Sequence, residues 1–394
     1  MRVLSENKSS LPVTETVSPV VLLDRRVAHW GPPKERRMNG DTDYSVKFSR
    51  DVQGFFGRMF TRNFFDLPNT FYLFKTWLKQ KRAVAVREKW LKEGVQSPPF
   101  MIISITAKCN LACKGCYSHA QHRSREKEMS AEKLRSVIGE ASELGTSVVL
   151  IAGGEPLVRP EIISITADYP DIVFPMFTNG LLLNDALIGN LRRQKNLVPV
   201  ISLEGGMIET DSRRGGGVFA NVLRVMDKLA AKRVFYGTSI TVTRENFDTV
   251  TSGGFIQGLV DKKCGVFIYV EYVPVGEGTE NLILTEKQKI ELRRMLDLWG
   301  EKFQAQFIGF PGDEELFGGC LASGRGFVHI SPEGRLEPCP FAPYSDTNVN
   351  QMSLRAALAS DFLRKIRENH HLLKETRGGC ALWENRQWVA SLMK

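Results

Sequence analysis

The sequence predicts an α/β protein built on parallel strands, and two observations carry that prediction. From residue 100 onward, short apolar runs rich in β-branched residues alternate with amphipathic stretches of helical length. Directly behind the first run stand three closely spaced cysteines, Cys109, Cys113 and Cys116. The carboxyl end of a strand is where α/β barrels carry their chemistry.

Taken in order, FMIISIT (100–106) reads as a buried strand. SAEKLRSVIGEASELG (130–145) follows as an amphipathic helix, with Ser130 as N-cap and Gly145 as its stop. SVVLIAG (147–153) and IVFPMFTNG (172–180) are the second and third strands, although Pro175 is an awkward residue inside a sheet. VPVISLEG (198–205), FYGTSITVT (235–243) and GVFIYVEYV (265–273) complete six strands. Helical stretches near 183–194, 217–232, 246–259 and 286–304 lie between or after them, which gives βαβ units and an open or closed barrel.

Composition is that of an ordinary globular protein, with 42% hydrophobic and 25% charged residues in 394. The net charge of +9 is uneven: residues 1–98 hold 18 Lys/Arg against 10 Asp/Glu, leaving +1 for the rest. Such asymmetry fits either an anionic neighbour or a solvated basic surface. Residues 1–45 read as a loosely ordered lead-in. Residues 46–97 pack Phe55, Phe56, Met59, Phe60, Phe64, Phe65, Phe71, Tyr72, Phe74 and Trp77 among basic residues, with Pro68 separating two helices. This set reads as core packed against the main domain, or else as a peripheral membrane contact or hydrophobic-substrate element. No run reaches the roughly 20 apolar residues of a membrane span, and the first residues lack a signal-peptide core, so a cytoplasmic location is expected.

The spacing Cys109-x3-Cys113-x2-Cys116 is poor for a disulfide framework and good for metal. Thiolates suit iron–sulfur clusters, and three ligands to a four-iron cluster leave one iron open to a small chelating molecule. Zinc is the alternative, with His119 as a fourth ligand. A second motif, Gly153-Gly154-Glu155-Pro156, closes the second strand. Its glycines leave backbone groups accessible on a strand end, where a ligand's ammonium can bind.

These two motifs, in this order, resemble the radical S-adenosylmethionine (SAM) superfamily over roughly residues 100–305. The resemblance implies a partial barrel of six strand–helix units whose [4Fe–4S] cluster, held by Cys109, Cys113 and Cys116, binds SAM. Reductive cleavage of SAM to a 5′-deoxyadenosyl radical is the implied activity, with a flavodoxin- or ferredoxin-type electron donor. By the same analogy Gly153, Gly154, Glu155, Pro156, Ser202, Glu204, Ser239, Arg244 and Val273 are expected to contact SAM, along with Thr178, Asn179, Thr241 and Pro274. Many members carry an aromatic residue just before the third cysteine, where this chain has Gly115, with Tyr117 after it. Asp211-Ser212-Arg213-Arg214-Gly215 resembles the family's loop after the fourth strand, but its residue chemistry assigns it no role.

A second cysteine group lies near the C-terminus. Cys320-x13-Gly334-x4-Cys339 resembles the opening of the SPASM/Twitch auxiliary-cluster extension. GFVHI and GRLEPC between the cysteines read as a β-hairpin. The expectation is an auxiliary [4Fe–4S] cluster on Cys320, Cys339 and Cys380, its fourth site open to substrate, a non-cysteine side chain, or Cys264 if the fold brings it near. Tyr344, His329 and Glu337 lie near these cysteines in sequence. Three regions follow: a basic, aromatic N-terminal segment (1–97), the partial barrel (98–310) and a small α+β cluster domain (311–394). A peptide or protein side chain is the leading substrate class, with a lipid or small molecule as the alternative. A non-catalytic iron–sulfur scaffold is the reading from another class; no nucleic-acid partner is expected, because the cysteine spacings match no zinc finger.

Overall fold

A computed structural model of the chain describes residues 47–48, 52, 54–57, 67–121, 127–311, 319–373 and 380–393. The readings on residues 1–45 and on Met59, Phe60, Phe64 and Phe65 lie outside the described residues.

Among the described residues nine strands form one sheet: β1 (Phe100–Ser104), β2 (Val148–Ala152), β3 (Phe174–Thr178), β4 (Leu197–Leu203), β5 (Gly237–Val242), β6 (Val266–Glu271), β7 (Gln306–Phe310), β8 (Phe327–Ile330) and β9 (Leu336–Glu337). Their spatial order is β7-β6-β5-β4-β3-β2-β1-β8-β9, and every pairing is parallel except the last. Strands β1 to β7 follow in chain order, so the sheet curls in one direction as a half-barrel. Between and beyond them run α1 (Leu67–Lys92), α2 (Tyr117–Gln121), α3 (Ala131–Glu143), α4 (Ile162–Ala167), α5 (Asp185–Gln194), α6 (Met207–Arg214), α7 (Val218–Ala231), α8 (Phe247–Val250), α9 (Gly253–Asp261) and α10 (Glu286–Lys302). The chain closes with α11 (Leu354–Leu358), α12 (Asp361–Glu368), α13 (Ala381–Glu384) and α14 (Arg386–Ser391).

Local chemistry explains the boundaries. Ser130 accepts the Lys133 N–H at 3.2 Å to start α3, and Gly145 follows its end in a left-handed conformation. Thr285 and Gln288 form a reciprocal capping box at the head of α10. Pro175 lies inside β3 opposite Val198. The sequence reading missed β7, whose QFIGF run is only partly buried and lacks a clear period.

The C-terminal hairpin forms as expected, with His329 opposite Glu337, but β8 also joins the barrel sheet. It pairs with the free side of β1 from Phe100–Phe327 to Ile103–Ile330. A half-barrel leaves that edge unpaired, and β8 covers it.

Helix α1 lies under the amino ends of the strands. It has Pro68 in its first turn, where the missing N–H costs nothing. Lys79 Nζ donates to the Pro170 carbonyl at 2.6 Å, Trp90 Nε1 to Glu143 at 3.1 Å, and Arg87 to Gly145. Phe56 is buried against Val148, Val173 and Val198, with Phe55, Tyr72, Phe100 and Phe235 around them. Phe56 and the aromatic residues around it thus pack at the barrel floor, while Phe74 and Leu78 remain exposed. Among the described residues no helix is long and apolar enough to cross a membrane.

Candidate active site

The cysteine loop leaves the carboxyl end of β1 and is stitched to its neighbours by main-chain bonds. The Gly154 N–H donates to the Thr106 carbonyl at 2.7 Å, and the Glu155 N–H to the Lys108 carbonyl at 2.8 Å. A Cβ on Gly153 would sit 2.3 Å from the Thr106 oxygen, and one on Gly154 2.1 Å from the Lys108 oxygen. The two glycines are thus required by the close approach of the cysteine loop. This revises the sequence reading, because the Gly154 and Glu155 N–H groups are engaged within the protein. Glu155 is itself buried: Oε1 accepts from Leu157 N–H at 3.0 Å and Thr178 Oγ1 at 2.7 Å, and Oε2 from Asn179 N–H at 2.8 Å. Burial raises its pKa even against these bonds. Pro156, also buried, opens the short 3₁₀ turn that Glu155 caps.

Two side chains grip the loop between its cysteines. Asn179 Nδ2, at the end of β3, donates to Asn110 Oδ1 at 2.7 Å. Arg213 Nε donates to the Lys114 carbonyl at 3.2 Å, and the Lys114 N–H returns a 2.9 Å bond to the Arg213 carbonyl. The unassigned Asp211–Gly215 stretch thereby gains a role. Asp211 accepts from Gly217 and Phe219 N–H groups, each at 2.8 Å, at the head of α7. Gly215, with φ of 114°, follows the end of α6. Arg214 Nη2 lies 2.5 Å from Glu204 Oε1, while Arg213 Nη1 meets Glu204 Oε2 at 2.6 Å as an ion pair. Glu204, 1% exposed, therefore faces two arginines in this structure, which compete with the SAM contact expected of it.

Burial is the largest influence on Cys113 and raises its thiol pKa, with Arg214 and Arg213 working against the rise. Burial likewise raises Cys109, opposed by the Leu111 N–H on its sulfur at 3.4 Å. Three soft donors on one loop, with two guanidiniums behind a single carboxylate, fit an anionic group ligated by thiolates. Among the described residues no three His, Cys, Asp or Glu side chains gather tightly enough for one metal ion.

Of the other expected contacts, Ser202 and Ser239 stand opposite each other on β4 and β5 with their hydroxyls 3.2 Å apart. Val273 is buried just beyond β6. Arg244 is exposed, and its Nε donates to the Ile283 carbonyl at 3.0 Å, so the structure gives it a partner other than a ligand carboxylate.

A sequence model of the radical SAM superfamily matches residues 103–251, from β1 to the end of α8. The mycofactocin maturase MftC of Mycobacterium ulcerans is 30% identical over 267 residues, covering 64% of this chain and 70% of that protein. The chain belongs to the radical SAM superfamily. The AdoMet-dependent heme synthase of Methanosarcina barkeri is 24% identical over 325 residues, 75% of this chain and 90% of the relative. Among solved structures, Streptococcus suis SuiB bound to S-adenosylmethionine superposes with a TM-score of 0.60 at 16% identity, over 82% of this chain and 83% of that one. SuiB bound to its precursor peptide SuiA gives 0.58 at 17% identity, over 79% and 75%. These likenesses establish the half-barrel fold. Membership makes the chain an enzyme and implies a [4Fe–4S] cluster and SAM.

The radical SAM half-barrel is bordered by the second cysteine group. Cys320, Cys339 and Cys380 are all buried. Burial raises the Cys339 thiol, reinforced by a hydrogen bond with Cys380 and by the proximity of Cys380 and Cys320. Arg325, 1% exposed, donates to the carbonyls of Gly319 at 3.0 Å and Cys320 at 2.7 Å. Cys264 is elsewhere: it precedes β6 at the floor, its Sγ 3.4 Å from the Val266 carbonyl, and burial pushes it up to about 12. The fold does not bring it to the other three. Tyr117, beside Cys116, stacks edge-on with Phe341, two residues beyond Cys339, at 5.3 Å. His329 lies wholly buried between Ser104 Oγ at 2.8 Å and Glu337 Oε2 at 2.7 Å.

Sequence reasoning did not anticipate Asn110, Lys114 or the arginine pair as parts of the site. The available signal was two adjacent arginines shortly after a strand ending in an acidic residue.

Proposed function

We propose that this radical SAM enzyme modifies a peptide or protein side chain, using one cluster on Cys109, Cys113 and Cys116 and an auxiliary cluster on Cys320, Cys339 and Cys380. Cys109, Cys113 and Cys116 would hold the first cluster, and the chemistry it would supply there is one-electron reductive cleavage of SAM to methionine and a 5′-deoxyadenosyl radical able to take a hydrogen atom from the substrate. The chain's own part is to hold the cysteine loop rigid, through Gly154 and Glu155 on one side and Asn179 and Arg213 on the other. The paired hydroxyls of Ser202 and Ser239 and the apolar Val273 are the groups we assign to SAM itself.

The observation that carries the auxiliary cluster is the meeting of Cys339 with Cys380, with Cys320 beside them. Residues 320, 339 and 380 are far apart in sequence, and Arg325 adds a buried cation there. Support for a peptide substrate comes from relatives: a mycofactocin maturase and the fold of SuiB, solved with a precursor peptide. A small-molecule substrate is the second reading, favoured by the likeness to a heme synthase over 90% of that relative's length. The SPASM/Twitch resemblance and the boundary near residue 311 belong to the same reading. A flavodoxin- or ferredoxin-type protein would supply the electron in a cytoplasmic setting.

Iron, sulfide and EPR after anaerobic reconstitution test the reading. Wild type should hold about eight irons per chain, and each triple Cys→Ala variant about four. Dithionite with SAM should release 5′-deoxyadenosine from wild type but not from the Cys109/Cys113/Cys116 variant. About four irons in wild type and in the Cys320/Cys339/Cys380 variant would remove the auxiliary cluster.

A further inference from the structure

Gly115 precedes the third cysteine of the loop and has φ of 64°, a left-handed conformation. The space beside it is filled from the end of another strand. A Cβ built on Gly115 would lie 2.7 Å from the Tyr272 Oη and 3.3 Å from its ring. Tyr272 is the first residue past β6, and its N–H bonds to the Val242 carbonyl at the end of β5 at 3.0 Å. Its side chain is thereby carried over the barrel mouth onto the cysteine loop. Only 3% of Tyr272 is exposed, yet its hydroxyl has no hydrogen-bond partner among the described residues. A hydroxyl kept from water without a partner is unfavourable, and the penalty disappears when a ligand brings the missing partner.

We infer that the Tyr272 phenol hydrogen-bonds SAM, in the space that the absent side chain of Gly115 leaves clear. The inference rests on the proposed placement of the SAM-binding cluster on Cys109, Cys113 and Cys116. Its chemistry follows from position: the hydroxyl lies against the residue adjoining a cluster ligand, so the molecule bound at the cluster is the one within reach. SAM offers adenine nitrogens and ribose hydroxyls to a group that both donates and accepts. Gly115 and Tyr272 act as a pair, since any side chain at 115 would push the phenol away.

The test uses the reconstituted full chain and SAM alone, with no substrate. SAM is titrated against the EPR signal of the reduced cluster in wild type, Tyr272→Phe and Gly115→Ala. Tyr272→Phe should keep the wild-type iron content and SAM-free spectrum, while its Kd for SAM rises about five- to tenfold. Gly115→Ala should weaken SAM binding at least as much, although the phenol is still present. Wild-type SAM affinity in Tyr272→Phe overturns the inference alone. Loss of iron in Tyr272→Phe also overturns it, because the hydroxyl would then serve the loop. A wild-type chain that takes up iron but no SAM overturns both the inference and the reading beneath it.

Discussion

Arg213 and Lys114 exchange two hydrogen bonds, one from the guanidinium Nε to the lysine carbonyl at 3.2 Å and one returning from the lysine N–H at 2.9 Å. Lys114 lies between the second and third cysteines, so a residue 99 positions away in sequence fixes the spacing of two ligands. Arg213→Ala removes the side-chain bond and one cation near Cys113. The expected result is reconstituted protein that loses at least half of its first-cluster iron on gel filtration, with Arg213→Lys intermediate. Iron retained at the wild-type level would leave the loop's shape to the backbone alone.

Glu204 is the buried anion for two arginines, so Glu204→Gln leaves two cations facing a neutral amide. Breaking a buried ion pair on one side costs about 3–5 kcal/mol. Arg213 and Arg214 keep partial access to water, with 19% and 13% of their side chains exposed, so the lower end is expected. Urea denaturation of the metal-free chain measures it.

Gly154→Ala places a methyl group 2.1 Å from a backbone oxygen that cannot swing aside. The expected cost is about 3 kcal/mol or more, with failed cluster uptake. Gly216→Ala, where nothing lies within 4 Å of the added carbon, is the control and should stay within about 0.5 kcal/mol of wild type.

His329 is held neutral by burial, which pushes its pKa down to about 3. In the unfolded chain it titrates near 6.5. The unfolded state therefore binds a proton that the folded state refuses, and stability is full above about pH 6.5. It falls by about 1.4 kcal/mol per pH unit as pH drops from there toward 3. His329→Gln removes this dependence. The check is the difference in unfolding free energy between wild type and variant at pH 7 and 5.5, above the range where carboxylates dominate.

Cys264→Ala should leave the iron content unchanged, since the thiol lies at the floor among Tyr236 and Tyr269. Iron falling in proportion to Cys320→Ala would place it among the cluster ligands after all.

The six strands, the capped helix beginning at Ser130 and the hairpin between Cys320 and Cys339 were legible because each depends on neighbouring residues. Strand period, cap and turn are local chemistry. The cysteine spacing was legible for the same reason, since one loop supplies all three thiols. Function at the level of radical SAM chemistry followed from those motifs, and the family comparison agrees.

Only the tertiary structure decided what each motif does. Gly153 and Gly154 were read as backbone offered to a ligand, but the approach of Thr106 and Lys108 is what excludes a side chain there. Arg213, Arg214 and Tyr272 acquire roles from elements that the chain brings together over long separations. Of the four remaining cysteines, Cys339 meets Cys380 with Cys320 near them, and Cys264 stands apart, because β6 is separated from β8 by five strands of the sheet. Sequence determined the local grammar of strands, caps and ligand spacing. Folding decided the partners, because hydrogen bonds, ion pairs and close packing act over a few ångströms in space, whatever the distance along the chain.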